Sequence, residues 1–82
     1  MIPAAYYNRG NIYLNLYKYA DALKDFSKAI EITPTFQEAY FNRGITYMNL
    51  SDTVNACFDF CKSGELGNKD AYFVIRNYCS KK

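Results

Sequence analysis

The sequence predicts an all-α protein of five helices, arranged as two similar helical hairpins followed by one closing helix. Three observations carry this. A shift of 34 residues lays 4–34 over 38–68 with 13 identities in 31 pairs. Within each copy, aromatic and small residues recur at steps of three and four, the spacing that stacks side chains on one helical face. Thr33-Pro34 closes the first copy, because the residue before a proline is pushed out of helical geometry.

Taken in order, the first helix is carried by Tyr6, Arg9, Gly10 and Tyr13, and its phase breaks around Tyr17 and Lys18. The second runs through Ala22, Leu23, Phe26, Ala29 and Ile30 to the stop at Pro34. The third repeats the first: Ala39-Tyr40-Phe41-Asn42-Arg43-Gly44 answers Ala5-Tyr6-Tyr7-Asn8-Arg9-Gly10, with Tyr47 answering Tyr13. The fourth repeats Ala22, Asp25, Phe26 and Lys28 as Ala56, Asp59, Phe60 and Lys62. It then departs, with Ser63, Gly64 and Asn68 where the first copy has Ala29, Ile30 and Pro34. Glycine inside a helix costs about 1 kcal/mol against alanine, so this helix is expected to fray or end early, with Gly67 as a left-handed stop. The last helix is expected over Lys69 to Cys79. With a linker two residues shorter than the first, Tyr72, Ile75 and Cys79 take the places of Tyr40, Arg43 and Tyr47. The chain thus reads as a single domain over 1–82: a repeat at 3–36, a repeat at 37–68 and a capping helix at 69–79, ahead of a Ser80-Lys81-Lys82 tail.

Glycine at 10 and 44 removes the bulk that would hold the helices of each hairpin apart, and Ala22, Ala29 and Ala56 add little. Tyr6, Tyr13, Phe26 and their copies fill the seam with rigid rings. Arg9 with Asp25, and Arg43 with Asp59, recur 16 residues apart and read as ion pairs closing each hairpin.

Tyr6, Gly10, Tyr13, Ala22, Phe26, Ala29 and Pro34, matched by Tyr40, Gly44, Tyr47, Ala56 and Phe60, resemble the signature of the tetratricopeptide repeat, a 34-residue helix-turn-helix unit. The resemblance spans nearly the whole chain. It implies a right-handed superhelix whose first helices line a concave groove, and a non-catalytic role in holding peptides or partner proteins there. Arg76 replaces the close-approach glycine in the last helix, which marks that helix as a cap; the first helix has no such cover and offers a surface through which two copies can form a homodimer.

Helical phase turns Tyr7, Asn8, Asn11 and Asn15 toward the groove from the first helix. It likewise turns Phe41, Asn42, Ile45 and Asn49 from the third, and Phe73 and Asn77 from the cap. These are the candidate peptide-binding residues. Tyr7, Phe41 and Phe73 form an aromatic row and Asn8 and Asn42 an amide row, suited to the side chains and the backbone of an extended peptide. The alternative is that the amides join neighbouring helices and the rings cover one another. Some family members clamp a carboxy-terminal carboxylate with lysine and arginine. Here Asn11 and Asn42 match amide places of that clamp, but Tyr7, Asp70 and Val74 stand at its basic places, which disfavours it.

Composition narrows the function classes. Half of the 82 residues are hydrophobic and 18% aromatic, which supports a folded core. No histidine is present, which removes imidazole as general base or metal ligand. No phosphate loop or paired-carboxylate pattern occurs, so no enzyme, cofactor or metal is expected. The net charge of +2 is scattered, which argues against nucleic acid, and no apolar run approaches the roughly 20 residues of a membrane span. The three cysteines, Cys57, Cys61 and Cys79, lack disulfide-framework spacing and read as thiols, a lean toward a reducing, cytoplasmic setting. The leading reading is a protein-interaction module binding an extended segment. The second is the terminal part of a longer solenoid or a self-associating unit, since two and a half hairpins fall short of the three or so repeats that stability usually needs.

Overall fold

A computed structural model describes residues 2–79. Its elements are α1 (Pro3–Asn15), α2 (Tyr19–Ile32), α3 (Gln37–Asn49), α4 (Thr53–Glu65) and α5 (Lys69–Val74), followed by a π-helical turn, Ile75–Cys79. The described residues contain helices and turns but no strand. The Ser80-Lys81-Lys82 tail lies outside them. Each helix packs on its chain neighbours: α1 on α2, α2 on α3, α3 on α4, and α4 on α5 with the closing turn. The result is a slab of 40 × 25 × 16 Å, an all-α helical repeat.

The glycines set the hairpin spacing. A methyl group at Gly10 would stand 2.7 Å from the Phe26 ring, and one at Gly44 2.8 Å from the Phe60 ring. Both rings are buried, together with Ala22, Ala29, Ala39, Ala56 and Ala71, so the core is made of large rings seated on small residues. Arg9 grips Asp25 with Nε at 2.7 Å and Nη2 at 2.9 Å, and Arg43 grips Asp59 at 2.8 and 2.9 Å. The two pairs differ in depth. The Arg43 side chain is 17% exposed, whereas that of Arg9 is 59% exposed.

α1, α3 and α4 end alike. After α1, Lys18 N–H donates to Tyr13 C=O and Tyr17 N–H to Leu14 C=O; the same pattern joins Asp52 to Tyr47 and Ser51 to Met48, then Asn68 to Ser63 and Gly67 to Gly64. This is the Schellman closure, which needs a left-handed residue just past the helix. Gly67 supplies it at φ 109°, but Tyr17 and Ser51 also adopt it, at 62° and 61°.

Three expectations are corrected here. α4 does not fray: it runs on to Glu65, because Ser63 Oγ donates to Gln37 C=O and Tyr72 Oη donates to Gly64 C=O. Gly64 is the seat for the Tyr72 ring, which stands 3.2 Å from where a methyl group would sit. The cysteines are not three thiols either. Cys57 and Cys79 form a disulfide with Cα atoms 5.7 Å apart, and Cys61 alone is free and exposed. The bond ties the closing turn to α4. The cap is also not one regular helix, since its last five residues widen into the π-helical turn that ends on Cys79. No helix among the described residues is long and apolar enough to cross a membrane.

Candidate functional site

The candidate groove residues fall into three groups. At the centre, the Asn42 side-chain amide on α3 donates to Tyr7 Oη at 3.1 Å and to Asn11 Oδ1 at 2.7 Å, both on α1. Both protons of one amide are thereby spent on α1. Asn42 Oδ1 and Asn11 Nδ2, an acceptor and a donor on adjacent helices, are left without a partner among the described residues.

The rings behave differently from one another. Tyr7 lies on Phe36 with centroids 4.9 Å apart and on Phe26 at 5.9 Å, and Phe41 meets the Phe60 ring edge-on at 5.4 Å. Each is half-buried, so one side of the ring is held by its own hairpin. Phe73 is 66% exposed and packs on no other ring among the described residues. Ile45 is half-buried beside this row.

The remaining amides are exposed. Asn8 and Asn15 stand on the surface of α1. Asn49 Nδ2 turns back to Ile45 C=O at 3.0 Å, and Asn77 Nδ2 to Phe73 C=O at 2.7 Å, so each satisfies its own helix. Asn8 and Asn42 hold the same repeat position but not the same environment, because only α3 has a preceding first helix beside it.

Electrostatics inside the hairpins favour a fixed scaffold. The Asp59 carboxylate holds Arg43 above its ordinary pKa, and Asp25 does the same for Arg9. Burial pushes the Asp59 carboxyl above its usual range while Arg43 pulls it back. Arg43 also sits 5.6 Å above the Tyr40 ring and 6.0 Å above that of Tyr47. These groups are committed to one another. They hold α1 to α2 and α3 to α4.

The described helices form a stack of two hairpins and a closing segment. Two models described as tetratricopeptide repeat match the chain, one at residues 3–36 and one at residues 26–58. The chain belongs to the tetratricopeptide repeat family, whose repeats generally mediate protein–protein interaction. No curated protein matches the sequence.

Proposed function

We propose that the chain is a non-catalytic interaction module that holds an extended segment of a partner protein in the trough between α1, α3 and α5. The supporting observation is the Asn42 bridge. By spending its amide protons on Tyr7 and Asn11, Asn42 presents Oδ1 in a fixed direction, next to the Asn11 amide. An acceptor and a donor so placed can pair with the N–H and C=O of one extended residue, while the open sides of Tyr7 and Phe41 and the whole ring of Phe73 receive flanking apolar side chains. Pre-organised amides lose little freedom on binding, which favours affinity.

Peptides selected from a random library on the oxidised protein test this. Asn42→Ala is expected to weaken selected binders at least tenfold, equivalent to about 1.4 kcal/mol. Phe73→Ala should weaken those with an apolar residue near one end, and because Phe73 is exposed its loss leaves the fold intact. Binders indifferent to both substitutions would remove the trough as the site.

A further inference from the structure

The charges of the trough are few and of one sign. Steps of three and four from Asn42 lead back along α3 to Glu38, one turn earlier on the face that carries Phe41 and Ile45. The same steps on α5 lead from Phe73 and Val74 back to Asp70. On α1 the matching place holds Ala4, so among the described residues the three trough-facing stripes carry two carboxylates and no Lys or Arg. Both carboxylates are exposed, and neither has an ion-pair or hydrogen-bond partner among the described residues.

The starts of α3 and α5 lie together, which brings the two acids to the same end of the trough. Gln37, which opens α3, accepts at its C=O from Ser63 Oγ at 2.9 Å, and its side-chain nitrogen lies 3.8 Å from where a methyl group at Gly67 would stand. Asp70 follows Gly67 by three residues. Acids inside the hairpins are spent otherwise: Asp25 and Asp59 hold Arg9 and Arg43, and Glu31 meets Lys28 at 3.4 Å. The chain as a whole carries +2, so the trough differs in sign from the molecule around it. Such local opposition selects a partner by charge, since an acidic segment is drawn to the rest of the surface and repelled here.

We propose, on the reading of the trough as a peptide site, that the segment held there is basic: a Lys or Arg side chain, close in sequence to the residue that pairs with Asn42, lies against Glu38 and Asp70. The spacing follows from the helix. Glu38 precedes Asn42 by four residues, a rise of about 6 Å, which an extended chain covers in about two residues. A Lys or Arg side chain keeps its charge at neutral pH and is long enough to reach exposed carboxylates from a backbone fixed at Asn42. A carboxylate in a first turn also suits the dipole of its own helix. That role alters helix stability and gives no preference among peptides, so the two roles separate by experiment.

Acetylated and amidated peptides, which carry no terminal charge, are selected on the oxidised chain from a random synthetic pool and kept where Asn42→Ala weakens them. They are expected to carry Lys or Arg beside an apolar residue. Replacing that Lys or Arg by Gln should weaken binding about fivefold, the scale of two exposed ion pairs. The double variant Glu38→Gln/Asp70→Asn should lose the same factor for the basic peptide and bind its Gln version as before. Raising NaCl from about 0.05 M to 0.5 M should weaken the basic peptide on the wild-type chain and spare the Gln version. Asn42-dependent peptides with no excess of Lys or Arg would overturn the basic ligand while leaving the trough as a site, as would a basic peptide indifferent to the double variant. If the double variant loses helical circular dichroism, the salt series on the wild-type chain decides, and affinity that salt does not lower overturns the proposal. Finding no Asn42-dependent peptide at all would overturn the trough reading and the basic ligand with it.

Discussion

The two arginine–aspartate pairs share a spacing and a geometry, yet they should not weigh equally in stability. Asp59 is 1% exposed and its arginine is largely covered, so removing the carboxylate strands a cation where water cannot reach it freely. Breaking a buried pair from one side costs about 3 kcal/mol or more, and Asp59→Ala is expected to show a loss of that order in urea unfolding. Asp25→Ala leaves Arg9 in solvent and should cost distinctly less; equal losses would mean that burial of the arginine does not set the difference. Both pairs were legible in the sequence, because opposite charges recurring at one separation in two copies have few other readings. The Asn42 bridge was legible only as the alternative reading, that the amides join neighbouring helices, and its partners were not. The sequence treats Asn8 and Asn42 as copies, whereas a hydrogen bond between hairpins depends on which helix comes before, and that differs at the end of a stack. Its acceptors also come from two unlike residues, Tyr7 and Asn11, one turn apart on α1.

Among the elements, the helix ends were only partly legible. Gly67 announced its turn, but Tyr17 and Ser51 make the same left-handed turn without announcing it, because hydrogen bonding and the packing of the next helix impose a conformation that their own sterics resist. Ser51→Gly is therefore expected to raise stability by roughly 0.5–1 kcal/mol, the usual gain when glycine relieves a left-handed residue; an unchanged or lower melting temperature would show that Ser51 is unstrained there. α4 was misread for a related reason. Glycine at 64 is poor for an isolated helix, but here it forms a seat for Tyr72, and tertiary contact overrode propensity. The disulfide escaped notice because its partners follow the repeat register and not a cysteine framework. Cys57 stands where Leu23 does and Cys79 where Tyr47 does once the linker is shortened, so the bond falls between two positions of the repeat.

At the scale of the whole molecule, the described helices lean mainly on their chain neighbours, with α1 and α3 joined besides through Asn42, so stability is close to a sum of local terms and the ends should open before the middle. Reduction should therefore act locally. Hydrogen exchange after dithiothreitol treatment is expected to lose protection in residues 69–79 while amides of α2 and α3 keep theirs; uniform loss would mean that the disulfide supports the entire fold. The overall architecture was legible from the period alone, since a 34-residue repeat specifies a stack whatever its ends do. The Asn42 bridge has a consequence for direction. Its acceptors, Tyr7 Oη and Asn11 Oδ1, stand on α1, whereas Phe41 and Ile45 hold the same places on α3 and carry no side-chain acceptor, so the bridge is not handed on from one repeat to the next. Any segment laid across the two helices would meet a polar edge beside α1 and an apolar one beside α3, which gives it a preferred orientation.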